Sequence, residues 1–185
     1  IGLDAAGLTP VANGNGIWLG PLAVNTQVGG VVAGARNVIS GNTTAGIRIA
    51  SGAGNFVQGN YIGTNMAGTA AVANGAEGVW IDSAPGTTIG GLTATPGTAP
   101  GNVIAGNASQ GIVITTLPGN STLIRGNLIG LAANGTTALG NGGPGVATGN
   151  SGATIGGTNP QARNVISGNP AGISLSNSGS NQNVL

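Results

Sequence analysis

The chain has 185 residues, of which only four Arg and three carboxylates ionise near neutrality; it contains no Lys, His or Cys, and its net charge is +1. That excludes disulfides, thiolate or imidazole metal sites and His-based acid–base chemistry, and it offers no cluster of cations to neutralise the several phosphates that nucleic-acid binding requires. Thirty-nine Gly and nine Pro would suggest a disordered chain if they lacked a period, and no apolar run is long enough to span a membrane.

The period is plain. Asn-Val-Ile-Ser-Gly-Asn at 37–42 returns with one change at 102–107 and unchanged at 164–169, and Ile-Gly openings at Ile1, Ile62 and Ile129 mark three long units. A self-similarity of this length built from short apolar segments is the mark of a solenoid. Taken in chain order, the segments predict three short strands per coil. The first coil has strands at 16–19, 26–28 and 37–39, and the second at 46–49, 55–57 and 61–62. The third has them at 78–81, 87–89 and 102–104, and the fourth at 111–114, 122–124 and 128–129. The fifth has them at 145–148, 153–155 and 164–166, and a sixth coil begins at 172–175 and continues at 183–185. Gly-Asn and Gly-Gly corners separate the segments, and longer loops, 64–77 and 131–144, follow alternate third strands.

Within a strand, side chains alternate faces, so Ile17 and Leu19, Ile47 and Ile49, or Ile112 and Ile114 point inward while the residue between them points out. Stacking at about 4.8 Å turns these into inward aliphatic columns. The expected architecture is all-β: one domain over 1–185, a parallel β-helix of about six three-sided coils. Asn42, Asn60, Asn107, Asn127 and Asn169 each follow a Gly, and are expected to form one hydrogen-bonded file along the stack.

These repeats, with Gly-Ile-x-Ile and Asn55-Phe56-Val57-Gln58-Gly59-Asn60-Tyr61-Ile62-Gly63, resemble the parallel β-helix repeats of the pectin-lyase-like superfamily, in particular the Gly/Asn-rich arrays of bacterial surface proteins. The resemblance covers essentially the whole chain. It implies a right-handed coil, in keeping with the usual chirality of parallel crossovers. It does not choose among the lyases, hydrolases, adhesins and structural proteins that share the fold.

The residues offer little chemistry. Glu77 and Asp82 bracket one strand, more than about 10 Å apart, too far for a retaining carboxylate pair. Asp4 has no acidic counterpart in the other two units, a weak basis for a calcium site. Gly140-Asn141-Gly142-Gly143 has no following helix or Lys and reads as a corner, not a phosphate loop. No catalytic residue, cofactor or metal is therefore expected.

The outward residues say more. Trp18, Arg48 and Trp80 share one strand position in three successive coils, which predicts a guanidinium between two indoles: a self-contained surface ladder, or a strip for sugar stacking or a partner. Val38, Tyr61, Val103, Leu128 and Val165 form an apolar file on the third face, to be covered by the chain's own long loops or by a lateral contact with another molecule. The second-face file Gln27, Phe56, Thr88, Leu123, Thr154 and Val184 is too mixed for ice binding. Ile1 and Gly2 resemble the close of a third strand, and Val184 and Leu185 a second strand, so these four are the candidate end-to-end contacts. The start at Ile1 lacks a signal-peptide pattern, and fits a mature product or a segment cut from a longer array. The expected role is a non-catalytic structural element of an extracellular filament, sheath or surface stalk, self-associating end to end or laterally. The alternative is a carbohydrate-binding or adhesin β-helix that uses the Trp/Arg strip.

Overall fold

The computed structural model describes residues 1–115, 121–149 and 152–176. Coil one consists of β1 (Ile17–Leu19), β2 (Gln27–Gly29) and β3 (Val38–Ile39), and coil two of β4 (Ile47–Ala50), β5 (Phe56–Gln58) and β6 (Tyr61–Ile62). Coil three holds β7 (Val79–Asp82), β8 (Thr88–Gly90) and β9 (Val103–Ile104). Coil four holds β10 (Ile112–Thr115), β11 (Leu123–Arg125) and β12 (Leu128–Ile129). Coil five holds β13 (Val146–Thr148), β14 (Thr154–Ile155) and β15 (Val165–Ile166), and β16 (Ile173–Leu175) opens coil six.

Every third strand pairs in parallel. The first sheet runs β1-β4-β7-β10-β13-β16, the second β2-β5-β8-β11-β14 and the third β3-β6-β9-β12-β15. This is a three-sided parallel β-helix with its hydrogen bonds along the axis.

Registers are unslipped, so equivalent side chains stack. One inward column of the first sheet is Ile17, Ile47, Val79, Ile112, Val146 and Ile173, and the other is Leu19, Ile49, Ile81, Ile114, Thr148 and Leu175. Val28, Val57, Ile89, Ile124 and Ile155 line the second sheet, and Ile39, Ile62, Ile104, Ile129 and Ile166 the third. Their central members are wholly buried and make one core along the axis. A β-branched side chain suits this packing, because its restricted rotamer is already the one the pleated stack needs.

The expected asparagine file is in fact two ladders. Asn13, Asn42, Asn74, Asn107, Asn141 and Asn169 stand at the corner before the first sheet, each Nδ2 donating to the next Oδ1 at 2.8–3.1 Å. Asn37, Asn60, Asn102, Asn127 and Asn164 stand at the corner before the third sheet and do the same at 2.9–3.2 Å. Asn42, Asn107 and Asn169 thus belong to one ladder, and Asn60 and Asn127 to the other. The Gly-Asn dipeptide serves both ends of the third face, which is why it misled. The repeated hexapeptide spans that face, with its first Asn in one ladder and its last in the other.

The loops also differ from expectation. Beside the loops after third strands, closed by antiparallel bridges Leu3↔Pro10, Thr64↔Ala71 and Leu131↔Ala138, a second set precedes the third strand in coils one, three and five, at 30–36, 91–101 and 157–163. Two of these contain a 3-10 turn, Ala33–Ala35 and Pro160–Ala162. The two sets alternate from opposite edges of the third sheet. Each tight corner leans on the long loop of the following coil: the backbone N–H groups of Gly41 and Gly106 donate to the carbonyls of Val72 and Leu139, and those of Gly59 and Gly126 to Pro100 and Ala162. At Gly126, with φ of +70° and space for an added Cβ only 2.0 Å from the Gly91 carbonyl oxygen, no other residue fits.

Between these loops, Tyr61, Val103, Ala105, Leu128 and Leu131 form a second, smaller core, with Val38, Ala133, Leu139 and Val165 packed against it. The loops cover the third face from outside as the aliphatic columns fill it from inside.

Candidate functional site

The first face carries the strip. Trp18, Arg48 and Trp80 are direct partners across β1, β4 and β7, followed by Val113 on β10. The Arg48 guanidinium lies 4.2 Å from the centroid of a Trp80 ring, and its Nη2 is 3.8 Å from Asp82 Oδ2. Trp80 Nε1–H donates to Thr115 Oγ1 at 2.7 Å.

The expected sandwich of Arg48 between two indoles is thus recorded on one side only. Asp82 and Trp80 both sit on β7, so charge and π-face draw the guanidinium toward the same strand. Trp18, on the opposite side, remains 65 % exposed. The ion pair is half-exposed and long, worth at most about 1 kcal/mol, and the ring contact adds about 0.5–1 kcal/mol. Trp80→Ala is accordingly expected to lower stability by about 1–2 kcal/mol, and Trp18→Ala by less than about 0.5 kcal/mol, as read from urea unfolding.

A second cation–π contact had no counterpart in the sequence reading: the Arg36 guanidinium stacks 3.9 Å from the centroid of the Tyr61 ring. The only signal was that Arg36 stands one residue before a ladder Asn, where coils two to four have Gly.

On the third face, Tyr61, Val103 and Leu128 are buried and Val38 and Val165 half-buried. The centre of this apolar file is occupied by the chain's own loops. Gly97, for instance, comes so near that an added Cβ would lie 2.7 Å from Leu128 Cβ.

At the N-terminal end, the Ile1 nitrogen donates to the Val38 carbonyl at 2.6 Å and the Ile1 carbonyl accepts from Ser40 N–H at 3.0 Å. Ile1 thus holds the third-face position preceding coil one, with Gly2 buried at φ +85° beside it. Val184 and Leu185 lie outside the described residues. Two open hollows, of about 250 and 360 Å³, flank the ends of the stack and are lined by the equivalent stretches at Arg36, Asn37, Val38 and at Arg163, Asn164, Ile166.

Asp4 has a local task. Its Oδ1 accepts from the Leu8 and Thr9 N–H groups, holding the tip of the first hairpin loop. Asn65 Oδ1 does the same for Thr69 and Ala70 in the second loop, and Asn134 for Thr136 and Thr137 in the third. Those N–H donors, Leu8 first, hold the Asp4 carboxyl below its ordinary pKa. Because the folded value is the depressed one, its support for the loop is present above the ordinary value and lost as pH falls through the folded one. Protection of the Leu8 and Thr9 amides from hydrogen exchange, taken relative to their intrinsic rates at each pH, is expected to fall in acid in the native chain but not in Asp4→Asn, whose amide oxygen accepts both bonds at any pH.

Among the described residues, no three metal-ligating side chains gather, and no helix is long and apolar enough to cross a membrane. The chain matches no protein-family model, and no significant similarity links it to a curated protein or to a solved structure.

Proposed function

We propose that the chain is a rigid, non-catalytic structural element of an extracellular filament, sheath or surface stalk, related to the Gly/Asn-rich β-helix arrays of the pectin-lyase-like superfamily and able to stack end to end. The observation that carries this reading is the pair of asparagine ladders. In both, the amide oxygen of each central rung accepts from the preceding rung, while its NH₂ gives one hydrogen to the next rung and also donates back to a carbonyl of the preceding coil. A stack with such polarity offers acceptors at one end and donors at the other, so like units fit head to tail. The near absence of charge favours this, since little repulsion opposes close approach.

The reading is tested by electron microscopy and sedimentation of the purified chain. Concentration-dependent rods of coil-like width are expected; particles that remain monomeric at high concentration count against stacking, though not against a rigid stalk.

A second reading, polysaccharide contact on the first face, is favoured by one observation: Trp18 is 65 % exposed, in register with Arg48 and Trp80. Flat indoles along a rigid sheet suit sugar stacking. On a glycan array, Trp18→Ala is expected to abolish any binding by this strip; binding retained in the Trp18→Ala/Trp80→Ala double variant would eliminate it.

A further inference from the structure

The pattern Asn-x-Thr or Asn-x-Ser, in which x is not Pro, occurs at Asn42-Thr43-Thr44, Asn107-Ala108-Ser109, Asn120-Ser121-Thr122 and Asn134-Gly135-Thr136. It is the acceptor pattern for N-linked sugars: the carboxamide nitrogen takes the sugar, and the hydroxyl two residues on is what the transferring enzyme reads. Asn120 lies outside the described residues. The fold sorts the other three.

Asn42 and Asn107 are interior rungs of the ladder before the first sheet, each 2 % exposed. Asn42 Nδ2 donates to Asn74 Oδ1 at 2.9 Å and to the Ser40 carbonyl at 3.3 Å; Asn107 Nδ2 donates to Asn141 Oδ1 at 2.9 Å and to the Ile62 carbonyl at 3.3 Å. Both nitrogens are thus engaged inside the stack, where no enzyme reaches them. Their hydroxyls are taken as well: Thr44 Oγ1 donates to the Gly14 carbonyl at 2.8 Å, and Ser109 Oγ to Gln110 Oε1.

Asn134 differs on each count. It is exposed at the tip of the third hairpin loop. Its Oδ1 accepts from the Thr136 and Thr137 N–H groups at 3.1 and 3.0 Å, which holds the carboxamide by its oxygen. The nitrogen keeps a single exposed bond, to Thr137 Oγ1 at 2.9 Å. Thr136 is exposed, and among the described residues its hydroxyl has no partner. Ala67 holds the same place in the second hairpin and is exposed although hairpins stack on that loop from both sides, Met66 N–H donating to the Gly7 carbonyl and Ala133 N–H to the Gly68 carbonyl. Solvent exposure therefore belongs to this position in the middle of an array.

We infer that Asn134 is the one of these three asparagines at which the folded chain accepts an N-linked sugar, from a glycosyl diphosphate donor. The bond from Nδ2 to the sugar C1 forms and the C1–O bond to the diphosphate breaks. The diphosphate leaves with the electron pair, and Nδ2 gives up one proton. The inference is independent of end-to-end stacking and compatible with it, because at these hairpins the contact between successive units runs through Gly68 and Ala133 and leaves the tip residue clear.

The folded full chain is incubated with each of two donor systems: a UDP-hexose with a soluble N-glycosyltransferase, and a lipid-diphosphate oligosaccharide with an oligosaccharyltransferase. Peptides 38–48, 103–113 and 130–140 serve as unfolded references, and every site is read separately by peptide-mapping mass spectrometry. Asn134 of the folded chain is expected to gain the sugar mass from at least one donor, which identifies the donor class. It is expected to do so at least about a hundredfold faster than Asn42 and Asn107, whose reaction needs local opening of several hydrogen bonds. Among the peptides that gap closes. Thr136→Ala is expected to abolish the gain and Thr136→Ser to retain it, with thermal unfolding of the chain unchanged in both. A folded chain that takes no sugar at Asn134 from either donor overturns the inference, as does modification of Asn42 or Asn107 in the folded chain within about tenfold of the Asn134 rate.

Discussion

Asn102→Ala is expected to lower the unfolding free energy by about 3–5 kcal/mol. Asn102 is fully buried at the centre of its ladder. Its Oδ1 accepts from Asn60 N–H at 2.9 Å and from Asn60 Nδ2 at 3.2 Å, and its Nδ2 donates to the Val57 carbonyl at 2.8 Å and to Asn127 Oδ1 at 2.9 Å. Alanine removes all four bonds. Asn60 Nδ2 retains the Val28 and Gln58 carbonyls, and Asn127 Oδ1 retains Asn102 N–H. The Asn60 N–H is left as a buried donor with nothing to meet it, at about 1–3 kcal/mol for that group alone. The same change at Asn37, half-buried at the end of the ladder, removes bonds that water can replace and should cost about 1 kcal/mol or less. Chemical denaturation of both variants checks the difference. Equal costs at the two sites would mean that the ladders do not bear on stability as the geometry implies.

Ile81→Ala is expected to cost about 3–4 kcal/mol, through lost burial and the cavity left in its column. Ile81 is wholly buried between Ile49 and Ile114. In a stack each coil touches only its neighbours, and the cavity cannot close without pulling two others out of register. The effect should fade toward the ends: Leu175, in the same column on β16, is 43 % exposed, and its Ala variant is expected to lose less than about 1 kcal/mol. A gradient from Ile81 to Leu175, measured by thermal unfolding with hydrogen exchange to locate the loosened coil, distinguishes a continuous column from separate small cores. A flat profile would contradict it.

These two effects rest on residue patterns of different legibility. The aliphatic columns were readable from the chain alone, because a period of two within strands and recurring Gly-Ile-x-Ile segments leave a single inward set, and slipping a register by one residue would expose it. The asparagines were half-readable. Their type and repetition announced a ladder, but Gly-Asn looks identical at both ends of the third face, so Asn42 and Asn60 read as members of one file. The hexapeptide was itself the missing clue, since its first residue, Asn37, Asn102 or Asn164, always enters the other ladder.

The second set of loops was hidden for another reason. The stretches 30–36, 91–101 and 157–163 each open on a Gly-Gly pair, and the first and last close on Ala-Arg, but Gly-rich corners occur throughout the chain; the plainer trace is spacing, since Val28 to Val38 is ten residues, whereas Val57 to Tyr61 is four. Their placement depends on which carbonyl reaches a tight-corner glycine in the preceding coil, a contact between residues more than thirty apart in sequence.

What the sequence by itself determined is the repeat: strand positions, the inward columns, three faces, and the poverty of ionisable chemistry. All of these follow from local spacing and composition, which the chain displays directly. Only the tertiary structure decided what lies over the third face, which side of Arg48 the indole stacks on, and how many ladders there are. Each of those depends on the competition of distant groups for one position. Arg48 turns to Trp80 because Asp82 shares its strand, and the Tyr61, Val103 and Leu128 file becomes a second core because loops from alternate coils meet above it.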